Sequence, residues 1–255
     1  MRGWWREISG LVLPVSCGGC GRPRVELCQE CRVALYGGVP RRVRPAPEPA
    51  GLPVVHAAAA YENAVRAVLL AHKERGELGL AGALGTALAG AVREGAVRAG
   101  TVAGSLLLVP VPSARRAVAA RGHDPTRRIA RAAARELRRD GVRAQVVPLL
   151  RQRRAVADQA GLDARSRQTN LAGALEVVAG GERLLAAGRV VLVDDLLTTG
   201  ATLAEAARAV REARDAPRGA GPDPCGRVGF AREGGGQAAV VAVSPSAFEI
   251  NRNSR

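Results

Sequence analysis

Four apolar residues, Val190 to Val193, run without interruption into two adjacent carboxylates, Asp194 and Asp195, and then into a polar turn. Such an unbroken Val/Leu run predicts a strand buried on both faces, the kind found in parallel α/β sheets. After Thr202, the residues Leu203, Ala206, Ala207 and Val210 recur at helical spacing, so the turn is expected between a strand's carboxyl end and a helix's amino end. A second run, Leu106 to Val109, ends in the Pro-punctuated loop Pro110-Val111-Pro112-Ser113 with Arg115 and Arg116 close behind. Asp124 and Pro125 read as N-cap and first residue of a helix whose inner stripe is Ile129, Ala133 and Leu137, with Arg127, Arg131, Arg135 and Arg138 outside. Further strands are predicted over Val54 to His56, Gln145 to Leu150 and Ala238 to Val243. Helices are predicted through Val65, Val68 and Leu69 to Lys73, and from Leu78 to about Ala99.

Between these elements lie segments without apolar period. Pro40 to Pro53 is Arg- and Pro-rich and reads as a linker. Arg151 to Asn170 is polar and long for a loop in a compact domain, and such loops are usually functional. Arg214 to Gln237, rich in Gly, Pro and Arg, reads as a flexible insertion whose Cys225 is an exposed thiol. At the amino end, Trp4, Trp5, Ile8, Leu11, Val12 and Leu13 form a stripe suited to packing on the protein itself, or to touching a membrane or partner.

The chain's 255 residues allow one sizeable core and a small extra module. Of the 38 basic residues only Lys73 is lysine, which marks a compositional bias toward Arg and makes the single ammonium an exception. The formal charge of +15 is local: residues 111–168 hold 15 Arg against 5 acids, and residues 169–216 hold 5 Arg against 7. That basic stretch suits a diphosphate, a nucleic acid, or simply a solvated helix face. No apolar run approaches the roughly 18 residues of a membrane span. The amino terminus lacks a signal peptide's long apolar centre, so the expectation is the cytoplasm.

Candidate chemistry falls in two places. Cys17 and Cys20, then Cys28 and Cys31, form two Cys-x-x-Cys knuckles with seven residues between Cys20 and Cys28. Four thiolates so arranged suit a closed, tetrahedral structural zinc site, with iron or a redox role as the alternatives. The second place is the turn after Val193. Vicinal hydroxyls pair with carboxylates such as Asp194 and Asp195, and a Thr/Gly-rich turn at a helix start offers N–H and hydroxyl donors to a phosphate. Both carboxylates are expected to face solvent in the empty protein.

The stretch Val190 to Thr202 resembles the phosphoribosyl-diphosphate signature of type I phosphoribosyltransferases. The resemblance implies that Asp194 and Asp195 contact the ribose hydroxyls, and that Thr198, Thr199, Gly200, Ala201 and Thr202 cradle the 5′-phosphate. Taken with the paired knuckles, the Tyr61-Glu62 helix leading to Lys73, the Val109 to Ser113 loop, Arg121-Gly122, the Gln159 to Asn170 loop and the terminal Phe248-Glu249-Ile250-Asn251-Arg252, it widens to the ComF family, which is associated with competence for DNA uptake. The likeness covers about residues 10–213 and 237–252; amidophosphoribosyltransferases have a similar layout. In place of the aromatic and Asn that usually follow Arg-Gly in that family, this chain has His123 and Asp124.

What the resemblance implies is an α/β, type I phosphoribosyltransferase-like parallel sheet flanked by helices, with an amino-terminal zinc-knuckle segment over residues 1–50. Residues 51–255 would form the main domain, with a hood over about 54–100 and a core over about 104–250. Val111, Pro112, Ser113, Arg115 and Arg116 would form the pyrophosphate loop, and Gln159, Arg165 and Asn170 would belong to the mobile loop. The implied ligand is Mg²⁺·phosphoribosyl diphosphate, its magnesium held mostly by the ligand's own oxygens. The implied reaction is transfer of the phosphoribosyl group to an acceptor. The rival reading is a non-catalytic binding protein whose partner is single-stranded DNA or the DNA-uptake machinery.

Overall fold

A computed structural model describes residues 15–97, 104–154, 170–216 and 236–245. The Trp4/Trp5 stripe, Cys225, nearly all of the expected insertion, the terminal Phe248 to Arg252, and Gln159 and Arg165 of the expected mobile loop lie outside these residues.

The chain runs α1 (Gln29–Tyr36), β1 (Arg41–Val43), β2 (Val54–Ala60), α2 (Asn63–Glu74), a 3₁₀ turn (Leu78–Leu80), α3 (Ala81–Val92), β3 (Leu106–Pro110), α4 (Arg115–Arg121), α5 (Pro125–Arg139), β4 (Ala144–Val146), β5 (Leu150–Gln152), β6 (Leu175–Val177), α6 (Gly181–Leu185), β7 (Arg189–Leu197), α7 (Ala201–Asp215) and β8 (Gln237–Val243). Six strands form one sheet in the order β1-β2-β8-β7-β3-β4. All its neighbours are parallel except β1, which runs antiparallel to β2 with Arg42 opposite His56.

Both faces of this sheet are covered, which is why its strands read as continuous apolar runs. Val191 and Val193 of β7 join Leu84, Leu88, Ile129, Ala133 and Leu137 in a cluster under α3 and α5, while Leu192 and Leu197 join Leu203, Ala206 and Val210 under α7. With few aromatics, helices come close instead: a Cβ on Gly85 of α3 would lie 2.4 Å from the Ala132 methyl of α5. The Asp124 carboxylate accepts the Arg127 N–H at 2.9 Å and caps α5 as its sequence predicts.

Three expectations change. Pro40 to Pro53 is more than a linker, because Arg41–Val43 builds the antiparallel edge strand. The predicted strand Gln145 to Leu150 is two pieces: Pro148 has no N–H for the ladder, so β4 ends at Val146 and β5 pairs antiparallel with β6 in a separate ribbon. The second hood helix is α3, entered from the 3₁₀ turn and left through a π turn at Arg93–Val97.

Candidate functional site

Strands β3 and β7 are neighbours, yet their chains leave in opposite directions. From β3 the chain passes through α4 and α5 to β4 at the sheet edge, and from β7 it passes through α7 to β8 on the other side. Neighbouring strands whose crossovers diverge leave a crevice outside their carboxyl ends, where open α/β sheets take ligands. The ladder between them closes with Pro110 opposite Val193, and with the Val111 N–H donating to the Val193 carbonyl at 2.9 Å. Asp194 and Asp195 are the next residues of β7, beyond its partner's end.

β7 continues past the acids, because β8 stays paired with it as far as Leu197 opposite Val243. The carboxylates therefore belong to the strand rather than to the turn after it. Neither acid is open to solvent as expected: Asp195 is buried, and its Oδ2 accepts from Lys73 Nζ at 2.7 Å. Asp194 is half-buried and its Oδ1 accepts the Asp195 N–H at 2.8 Å. Burial, and then the neighbouring Asp195 carboxylate, push the Asp194 carboxyl well above the usual range. On Lys73, burial works against the charge, but Asp195 and Asp194 outweigh it and hold the ammonium above its ordinary value.

The turn Thr198-Thr199-Gly200 follows, and α7 begins at Ala201, two residues earlier than the apolar period alone suggests. Thr198 is exposed, Thr199 and Thr202 are half-buried and Ala201 is buried. Gly200 sits at φ 76°, the left-handed conformation that a β-branched residue rarely adopts. The first N–H groups of α7 have no acceptor within the helix and form the donor end of its dipole. Behind the turn, a Cβ on Gly200 would meet Leu52 Cδ1 at 3.1 Å and Pro45 Cγ at 3.2 Å. Pro45 and Leu52 of the supposed linker thus back this turn.

Across the crevice, Val111 is buried, Pro112 and Ser113 are half-buried, and Arg116 is exposed. Arg115 is the first residue of α4. The structure thus brings the Val111 to Arg116 loop and the Asp194 to Thr202 stretch to one edge of the sheet. Asn170, half-buried, stands at the near end of the long polar loop, where its carbonyl accepts from Arg154 Nη2 at 2.8 Å. Lys73, which the sequence marks as the single lysine of an Arg-dominated chain and as the end of the Tyr61-Glu62 helix but does not connect to the acids, joins the site through Asp195.

The second constellation is the knuckle pair. Cys17, Cys20, Cys28 and Cys31 place four sulfur atoms within 4.8 Å of one another, and no disulfide joins them. A tetrahedral ion bonded to sulfur at about 2.3 Å sets its ligands roughly 3.8 Å apart, so the group is close enough to hold a metal. Cys28 N–H donates to Cys17 Sγ at 3.3 Å. Burial alone would raise the Cys17 thiol, but backbone N–H groups of Cys20, Cys28 and Gly19 bring it to about 6. Among the described residues, no helix is long and apolar enough to cross a membrane.

No protein-family model matches the chain, and no curated protein matches it.

Proposed function

We propose that the crevice between β3 and β7 binds Mg²⁺·phosphoribosyl diphosphate and that the protein transfers the phosphoribosyl group to an acceptor, as the resemblance to ComF proteins implies. One observation carries this reading. The paired acids and the donor-rich turn lie together where the crossovers of β3 and β7 diverge, opposite the Val111 to Arg116 loop. In this reading the N–H groups and hydroxyls of Thr198 to Thr202 take the 5′-phosphate. Asp194 and Asp195 accept from the ribose hydroxyls, and Ser113, Arg115 and Arg116 receive the leaving diphosphate. The bond from the anomeric carbon to the diphosphate oxygen breaks with its electron pair leaving on pyrophosphate, and a bond to the acceptor's nucleophilic atom forms.

At the acid pair, one oxygen of Asp195 already accepts from Lys73. Magnesium would arrive on the ligand's oxygens, neutralising them. The four cysteines fit a closed structural zinc that takes no part in the chemistry. Calorimetric titration with Mg²⁺·phosphoribosyl diphosphate, followed by a pyrophosphate-release screen over acceptors, tests the reading. A folded protein that binds none of this ligand would end it.

The outer face of α5 favours a second role. Arg128, Arg131, Arg135, Arg138 and Arg139 are all exposed there, against one half-buried acid, Glu136. Binding of single-stranded DNA to this face would weaken steeply with salt, through counterion release. A mobility-shift assay without a complex at low salt would remove this role and leave a protein partner in the uptake machinery.

A further inference from the structure

His72, Lys73 and Glu74 end α2 with three successive side chains that each reach a different element. The His72 ring meets His123 in the turn between α4 and α5, with centroids 5.8 Å apart. Lys73 Nζ lies 2.7 Å from Asp195 Oδ2 on β7. Glu74 takes Arg121, the last residue of α4, on both oxygens at 2.8 and 3.0 Å. The ammonium is thus held in place from both sides along its own helix.

Its partner does not use it up. The Lys73 side chain keeps 33% of its surface open, against 8% for Asp195, and an ammonium carries three donors where one carboxylate contact uses one. A ligand with several negative charges that settles against two carboxylates needs a cation between them, since like charges a few ångströms apart repel strongly when partly buried. Lys73 is a cation already seated on that acid pair. Its placement also distinguishes the ligand's two ends. Through Glu74 and Arg121, α2 is tied to α4, the helix into which the Val111 to Arg116 loop leads. The Thr198 to Thr202 turn opens α7, whose apolar residues pack in the cluster on the opposite face of the sheet.

We propose that Lys73 is a further binding residue of this site, its ammonium donating to the diphosphate end of the ligand while Asp195 holds it in position. The inference rests on the phosphoribosyl-diphosphate reading and adds to it a residue from the hood. A compact ammonium is suited to this place, because it can share its donors between a carboxylate and a phosphate oxygen, which the planar fork of Arg does less readily.

Calorimetric titrations of the full chain with Mg²⁺·phosphoribosyl diphosphate, Mg²⁺·pyrophosphate and ribose 5-phosphate test it. Lys73→Met is expected to weaken both diphosphate-bearing ligands about tenfold or more, with ribose 5-phosphate changed by less than about twofold. Lys73→Arg, which keeps the charge, is expected to recover part of the loss. Because Lys73→Met strands the buried Asp195 carboxylate, the same comparison is made in an Asp195→Asn background, where Lys73→Met leaves no carboxylate at position 195 without its cation; melting curves establish that each variant is folded. If Lys73→Met costs nothing once Asp195 is Asn, the lysine serves only that carboxylate and the proposal is overturned. An equal loss for all three ligands also overturns it. Failure of the wild type to bind phosphoribosyl diphosphate would be seen before any variant, and would sink the site reading and this inference together.

Discussion

The rings of His72 and His123 meet edge to face at an interplanar angle of 60°, and neither Nε2 has a hydrogen-bond partner among the described residues. His72 is fully buried, with Nδ1 3.3 Å from the Glu77 carbonyl. Burial holds its pKa below 6.5, and the charges of His123 and Arg128 work in the same direction, opposed by the Glu77 and Pro125 carbonyls.

A pH prediction follows from that burial. The folded chain binds this proton less readily than the unfolded chain does, so stability is complete above the unfolded value and falls as the pH drops through 6.5 toward the lowered folded value. His72→Leu should flatten this part of the pH profile. Thermal melts at about pH 7.5 and about pH 5.5 compare the two proteins. Parallel losses in wild type and variant would show that His72 is not responsible.

The two neighbouring acids should act in opposite directions. Asp194 has a carboxyl pKa raised above its ordinary 3.8, so its contribution is most favourable below that value and is lost as the pH rises through the folded value. At neutral pH, Asp194→Asn relieves a like-charge contact and should leave melting unchanged or raise it. Asp195→Asn removes the partner of a partly buried ammonium and should destabilise by about 1–3 kcal/mol. Both should weaken phosphoribosyl-diphosphate binding, each by roughly 1.5–3 kcal/mol for a lost charge-assisted hydrogen bond. Melting and titration of the single variants separate stability from binding; a large stability loss in Asp194→Asn would contradict the account.

This contrast also marks what the sequence could show. Val190 to Val193 announces a buried strand and Thr198 to Gly200 a turn before a helix, because both signals are local. Nothing local says that β8 keeps β7 straight past Asp195, nor that Lys73 reaches a carboxylate 122 positions away. Those facts depend on which strands become neighbours. Arg41–Val43 was hidden for a different reason: three residues paired at an edge are too few to show a period. Pro148 should have ended the strand predicted over Gln145 to Leu150, since its missing N–H is legible in the sequence itself.

Metal analysis should find one zinc per chain, lost in Cys28→Ser/Cys31→Ser; unchanged zinc in that variant would rule out the assignment. The sequence suggests that chelation loosens residues 1–50 first. Cys17, Leu27, Cys28, Cys31 and Leu35 share one buried cluster with Leu80, Leu84 and Leu88, however. Chelation should therefore loosen α3 as well as α1, because closed metal sites contribute folding energy outright. Hydrogen exchange with and without chelator reads this directly, and protection lost only before residue 50 would show that the knuckles fold apart from the hood.

Gly200→Val is the most demanding substitution in the turn. The sequence alone suggests that a side chain there would fill the space a phosphate needs. The geometry places the new Cβ on the other side, 3.1 Å from Leu52 and 3.2 Å from Pro45, which must shift to admit it. At φ 76° the valine would also occupy a backbone region that branched residues avoid, at a cost of about 1–3 kcal/mol. The expected result is a loss of stability together with a loss of phosphoribosyl-diphosphate affinity, as the turn moves and its N–H groups no longer converge. Leu52→Ala tests the cause: it removes the nearer obstacle while leaving the backbone angle unchanged. In a Leu52→Ala background, Gly200→Val should cost less in melting temperature than it does alone, while the φ-dependent part of the loss remains. Equal cost in both backgrounds would mean that contact with Leu52 does not contribute, and would assign the whole effect to the backbone.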